Sequence, residues 1–180
     1  RMAGAGGVVM IQFYKFSSVR SKAYCPRGGA AYYEIEILRL GPYPQFGFCT
    51  GAWERVDKHT GNGVGDDAES WGVDGAKQRR WHKGDEAFGA KWSEGDVIGV
   101  ACEVGVEGGV RVWVSVNGSW APPNGLVFDH PNRTDVQRLH PALTGSKCDV
   151  RVNLGAAAWR HAPPADGAYE SFEALARHGV

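Results

Sequence analysis

The chain has no run approaching the ~18–20 consecutive apolar residues that a membrane-crossing helix needs, and no charged-then-apolar leader at its N-terminus. No membrane insertion is expected. Metal-binding spacing is missing too: the four cysteines, Cys25, Cys49, Cys102 and Cys148, lie far apart and form no C-x-x-C pair. A zinc site would have to be assembled from scattered histidines, so neither metal nor cofactor is expected, and the thiols read as small buried hydrophobes in a reducing compartment. There is no excess of one charge, because 20 Lys and Arg balance 20 Asp and Glu. No global field therefore directs the surface toward nucleic acid or anionic lipid. Repeats, low-complexity tracts and long linkers are absent as well, so residues 1–180 are expected to form one domain. The first residue is Arg1 rather than Met, and the expectation is a domain excised from a longer, intracellular, cytoplasmic protein. Helical periodicity is confined to Tyr169, Phe172, Leu175 and Ala176, ahead of Gly179 as a C-cap.

What the chain does hold is 26 glycines and 7 tryptophans, a pairing that suits short strands and tight turns around bulky aromatics. Period-2 alternation dominates. In Val110-Arg111-Val112-Trp113-Val114-Ser115-Val116 the valines share one face, which predicts a half-buried strand. Tyr33-Glu34-Ile35-Glu36-Ile37 repeats the pattern, with the two glutamates on a face expected to meet water. Further strands are predicted at 8–13, 45–49, 97–103, 126–128 and 148–154. Gly41-Pro42-Tyr43-Pro44, Gly61-Asn62-Gly63, Gly108-Gly109 and Asn117-Gly118 supply the turns between them. The fold class is all-β, a curved antiparallel sandwich of two sheets with one short C-terminal helix.

Residues 63–75 read G-V-G-D-D-A-E-S-W-G-V-D-G, with Trp81 and His82 following. Ahead of them stand Tyr32-Tyr33-Glu34-Ile35-Glu36-Ile37 and Phe46-Gly47-Phe48. Behind them come W-S-E-G-D-V-I-G-V at 92–100, Val116-Asn117-Gly118, Leu139-His140-Pro141-Ala142 and Val152-Asn153-Leu154-Gly155. In this order the segments resemble the landmarks of the SPRY (B30.2-related) family, across nearly the whole chain. Leu154 stands where the family usually has Phe, and His140 where Tyr is common. The resemblance implies a sandwich that recognises peptides or protein surfaces through loops at one end and has no catalytic activity. It places those loops at 12–17, 58–64 and 144–147. Thr144-Gly145-Ser146 lacks the tryptophan of the peptide-binding subgroup, which implies a different ligand.

Around that end the candidate ligand-binding residues are Tyr14, Lys15, Arg55, Lys58 and His59. Trp53 and Trp120 join them as loop tryptophans, since an exposed ring is a natural binding anchor. In Lys77-Gln78-Arg79-Arg80-Trp81-His82-Lys83, Arg79 and Arg80 could pair with an acidic or phosphorylated peptide through their guanidinium forks. The stretch reads equally well as a charged edge strand that blocks sheet-to-sheet aggregation. Asp66, Asp67, Glu69 and Asp74 lack calcium-loop spacing and are read as turn-capping carboxylates.

Glu34 and Glu36 could be taken for the paired carboxylates of a sandwich glycosidase, but Leu38 and Leu40 occupy the next positions on that face. The reading that results is a non-catalytic protein or peptide recognition module, monomeric in isolation, serving as adaptor or substrate-recruiting part of a larger protein such as a ubiquitin ligase or scaffold. A lectin-like sugar-binding sandwich is the alternative, and a glycoside-cleaving enzyme the third.

Overall fold

The computed structural model describes residues 7–54, 61–165 and 167–177. Along them run strands β1 (Val9–Phe13), β2 (Ser17–Arg20), β3 (Cys25–Pro26), β4 (Ala30–Arg39), β5 (Gln45–Thr50), β6 (Ser70–Asp74) and β7 (Arg79–Trp81). They continue as β8 (Asp85–Ala87), β9 (Val97–Val104), β10 (Val110–Val116), β11 (Gly125–His130), β12 (Arg138–Gly145), β13 (Cys148–Asn153) and β14 (Glu170–Ser171), ahead of helix α1 (Phe172–Arg177). Two sheets result, ordered β1-β13-β4-β9-β10-β11 and β2-β12-β5-β6-β7-β8. Short β14 lies parallel to β4, and β3 pairs with β12. All other pairings are antiparallel, which makes the chain the two-sheet sandwich that alternation predicts.

The alternation works as expected on the inner faces. Val110, Val112 and Val114 are buried, as are Tyr33, Ile35 and Ile37 on the same sheet, two strands away across β9. Tyr33 spans the two sheets, its ring packing edge-on to Phe48 while its hydroxyl donates to the Gly47 carbonyl at 2.7 Å. Phe46 stacks on Trp92 at 5.2 Å. Phe172 and Leu175 of α1 close one end of the core, and the Ser171 hydroxyl accepts the Ala174 amide at 3.1 Å to cap the helix. All four cysteines are free and buried.

The outer faces depart from the simple pattern. Glu34 is only 3% exposed rather than facing water. The reason is the segment after β13, which folds back over the sheet. The Asn153 carboxamide accepts the amides of Gly155 and Ala157 and donates to the Ala157 carbonyl, turning the chain. Trp159 then packs edge-on to Tyr32 at 4.9 Å, and the Glu34 carboxylate accepts the backbone amides of Arg160 and His161 at 2.9 and 2.8 Å. Tyr32 donates its hydroxyl to the same carboxylate at 3.2 Å. Glu34 is therefore a buried anchor for a covering segment.

The basic stretch is not the sheet edge either. The acidic strand β8 pairs outside β7 and is the exposed border. Arg79 faces Asp85 at 3.4 Å, and the Arg80 Nε donates to Glu86 at 2.9 Å. Arg80 also donates to the Val127 carbonyl at 2.6 Å, tying β7 to β11 of the other sheet.

Two buried titrating groups oppose one another in acid. Burial, chiefly, pushes the Asp74 carboxyl up to about 6, against an accepted bond from the Lys77 amide. A raised carboxyl binds its proton more tightly when folded, so its contribution is present below the ordinary 3.8 and is lost as pH rises through about 6. Burial first, then the charges of Arg20 and Arg138, push His140 down to about 4. Its contribution has the opposite sign: it is present above the ordinary 6.5 and lost as pH falls toward 4. Each is worth on the order of 3 kcal/mol. Relative to wild type, Asp74→Asn should gain stability at pH 7 and lose that gain by pH 4, whereas His140→Phe should gain only below pH 6. Urea melts at pH 4, 5, 6 and 7 check this, and difference curves that stay flat would overturn it.

Candidate functional site

One end of the sandwich is built from four loops that meet. In the turn between β1 and β2, Phe13 is buried against Gly145, where an added Cβ would lie 2.5 Å from its ring. That burial fixes the turn and leaves Tyr14 standing 75% exposed, with Lys15 exposed beside it. The Ser17 hydroxyl donates to the Lys15 carbonyl at 3.0 Å. Below, Thr144 of β12 acts as a hub. Its hydroxyl lies 2.7 Å from that of Ser18 and accepts the Val64 amide at 2.9 Å, which joins three of the loops.

The loop before β6 is seated by glycine and carboxylate together. Gly63 has no room for a side chain, since a Cβ would come within 1.9 Å of Gln45 Oε1. Its amide donates to Asp66 at 2.5 Å, and the Asp67 carboxylate accepts both the Glu69 amide and the Ser70 hydroxyl. These are the turn-capping roles that the sequence implies for Asp66 and Asp67. Burial holds the Asp66 carboxyl above its ordinary range. On the opposite rim, Gly41 abuts the Ser146 carbonyl so closely that no Cβ would fit, which draws the 41–44 turn in beside 146–147.

This convergence adds residues that sequence reasoning did not single out. Phe16 meets Tyr43 edge-on at 5.9 Å, and the Lys77 ammonium sits 4.2 Å from the Tyr43 ring centroid. Tyr43 is 42% exposed and Lys77 is exposed. The usable signal was Pro42-Tyr43-Pro44, an aromatic held between two rigid turn residues. Together Tyr14, Lys15, Tyr43 and Lys77 make an aromatic and cationic rim over a rigid floor.

Of the other residues singled out from sequence, Arg55, Lys58 and His59 lie outside the described residues. Trp53 corrects an expectation. It is 4% exposed, packed with Cys49, Val64 and Ala142 on the outer face of the second sheet. It is enclosed because the 51–54 turn lies down on the sheet, held by the Arg20 guanidinium on the carbonyls of Thr50, Gly51 and Trp53. Trp120 is half-buried on the other sheet, against Tyr32, with its indole N–H on the Ala162 carbonyl at 3.1 Å. Arg79 and Arg80 lie on the β7–β8 hairpin, where Arg79 shares a cross-strand row with Asp74, Gln45 and Thr144 but faces Asp85, and Arg80 faces Glu86. The sandwich thus brings Tyr14 and Lys15 together on one turn, lays Trp53 and Trp120 against different sheets, and engages Arg79 and Arg80 with the acidic strand β8. Among the described residues no group of His, Cys, Asp and Glu is arranged to hold a metal ion, and no helix is long and apolar enough to cross a membrane.

The SPRY domain family model matches residues 30–157, from the start of β4 to beyond β13. The chain belongs to the SPRY domain family. A curated relative, the E3 ubiquitin-protein ligase RKP of Arabidopsis thaliana, is 30% identical over 171 residues. That match covers 90% of this chain and 12% of the relative, so the SPRY domain corresponds to a small part of that protein. SPRY domains are protein-interaction modules, and this domain has the matching division of labour, a rigid sandwich presenting loops.

Proposed function

We propose that this SPRY domain binds a protein or peptide through its loop end and serves as the substrate-recruiting or adaptor part of a larger protein, such as a ubiquitin ligase. The observation that carries the reading is Tyr14, whose ring stands 75% exposed on a turn pinned by the buried Phe13. An exposed aromatic on a fixed backbone loses little conformational freedom on binding, as interface anchors require. Lys15, Tyr43 and Lys77 around it favour a partner with apolar and acidic groups side by side. The identity of the relative as a ubiquitin ligase supports the recruiting role.

The sugar-platform reading gains nothing from the structure, because all seven tryptophans are buried or half-buried. Glycoside cleavage fares no better, since the Glu34 carboxylate is taken up by two backbone amides and a tyrosine. The test is affinity capture from source-cell extract, comparing wild type with a Tyr14→Ala, Lys15→Ala double variant of matched thermal stability. A partner held by wild type and weakened at least tenfold in the variant is the expected result. Equal capture by both would move the site away from the loop end.

A further inference from the structure

Each of Arg39, Arg79, Arg80, Arg111, Arg133, Arg151 and Arg160 faces a carboxylate of this chain. Among the described residues, Arg20 and Arg138 have no carboxylate at ion-pair distance. Both line an open groove of about 570 Å³ on the outer face of the second sheet, together with Lys22, Tyr24 and His140. Arg20 spends its hydrogen bonds on three neutral carbonyls. Arg138 lies over the Tyr24 ring at 5.3 Å, and Tyr24 packs in turn against His140 at 5.4 Å. Among the described residues, Glu54 is the one acidic side chain lining this groove. Three cations against one carboxylate, in a chain that otherwise balances its charges closely, leave a local positive excess.

His140 supplies the independent observation. It is 6% exposed, and its Nδ1 lies 3.1 Å from the Ser21 carbonyl, to which it donates. With the proton on Nδ1, the Nε2 atom is a lone-pair acceptor, and it is buried without a partner. Burial and the neighbouring arginines hold the imidazole neutral at physiological pH. A buried acceptor without a partner, beside guanidiniums that meet only neutral groups among the described residues, is unfinished as a structural element, because buried polar atoms are ordinarily satisfied.

We infer that this groove is a second binding surface, which takes an acidic side chain of a peptide: the anion pairs with Arg138, Arg20 and Lys22 while a ligand N–H donates to His140 Nε2. One acidic residue in an extended peptide carries both groups, its carboxylate and a backbone amide, and a phosphorylated serine carries the same pair. The inference rests on the reading of this SPRY domain as a peptide-binding module and adds the chemistry of what it binds. The groove is distinct from the loop end. From Thr144 to His140 is four residues along β12, about 13 Å.

The test is a titration of isotope-labelled domain with blocked tetrapeptides, Gly-Asp-Asp-Gly, its Asn-Asn counterpart and a phosphoserine counterpart, and with inorganic phosphate alone. NMR signals of the Arg138 side-chain N–H and the His140 Nε2 report occupancy. Saturable shifts at both with an acidic peptide, at least tenfold weaker with Asn-Asn and in a Lys22→Ala, Arg138→Ala variant, are expected. Those two side chains are exposed, so the variant keeps its melting temperature, while His140→Phe removes the acceptor and weakens the peptide without touching a charge. Which of the aspartate and phosphoserine peptides binds more tightly identifies the source of the anion.

Equal shifts with Asn-Asn, equal affinity in the double variant, or phosphate alone binding as tightly as the peptides would overturn the inference, the last leaving an ion site only. So would shifts absent with every probe. The Tyr14→Ala, Lys15→Ala variant should titrate like wild type. A failed capture beside an intact titration therefore sinks the loop-end reading alone, and the reverse pattern sinks the groove alone.

Discussion

Trp71→Ala should lower the stability of this SPRY domain by about 3–5 kcal/mol, the cost of removing a fully buried large aromatic that its surroundings cannot collapse to fill. The ring is 0% exposed and lies between the sheets, so little can move into the space. It also organises polar neighbours. His82 stacks on it at 4.8 Å, nearly parallel, and its Nε1 donates to His130 Nδ1 at 3.0 Å. The Arg133 guanidinium lies 5.2 Å from the ring while donating to the Ala68 carbonyl at 2.8 Å, so the turn built by Asp66 and Asp67 leans on the same side chain.

Burial already holds His82 and His130 below the ordinary imidazole range. Loss of the indole would expose both and return them toward it, adding a proton-linked component. Trp71→Phe keeps most of the packing but removes the donor to His130, and should cost roughly 1–2 kcal/mol. Denaturant melts of the two variants decide this. A loss below about 1 kcal/mol for Trp71→Ala would mean that the ring does not key the core.

Gly47→Ala should be as damaging for the opposite reason, too much matter instead of too little. Gly47 on β5 faces Gly72 on β6, and a Cβ on Gly47 would come within 2.0 Å of the Trp71 carbonyl oxygen. That neighbour is backbone in a central strand pair and cannot rotate away. Either β6 shifts or the pairing breaks, which should cost about 3 kcal/mol or more. The Gly47 carbonyl also accepts the Tyr33 hydroxyl, so displacement loosens the bridge between the sheets.

Gly72→Ala provides the contrast that concerns function. Its Cβ would meet the Val64 carbonyl at 2.3 Å, so the strain falls on the loop seated over the outer face. We expect a smaller loss of stability, faster hydrogen exchange at the Val64 amide, and a larger loss of partner binding than global destabilisation explains. Equal behaviour of the two variants would show that the loop and the strand pair move as one.

The two proposed contacts, the loop end and the basic groove, would reinforce each other on a single flexible peptide, since the second becomes intramolecular once the first forms. That expectation is specific: a peptide with an acidic residue spaced to reach the groove while its apolar residues lie by Tyr14 should bind more tightly than either half.

The inner faces of β4 and β10 were legible in the sequence because alternation is a local property: Val110, Val112 and Val114 turn inward for the same steric reason wherever the sheet sits. The turns were legible because Gly and Pro fix backbone angles locally, and Asp66 and Asp67 reach only a few residues to cap their own loop. What the sequence did not reveal was the outer faces and the pairing of charges, which depend on distant segments. Glu34 is buried by the amides of Arg160 and His161, some 126 residues on, and alternation carries no information about what later folds over a strand. Trp53 sits in a loop by every local sign, yet the Arg20 guanidinium and the outer face of β5 and β12 enclose it. Arg79 and Arg80 looked free until β8 brought Asp85 and Glu86 against them.

The basic groove is the strongest case. Ser21 and His140 are 119 positions apart, and the pairing of β2 and β3 with β12 alone sets Arg20 and Tyr24 beside Arg138 and His140. Local sequence thus determined the sandwich class, its alternating strands and its turns, because those follow from backbone sterics and burial period. Tertiary structure decided which polar side chains are spent inside the protein and which remain open to a partner, because that depends on long-range neighbours brought together only by folding.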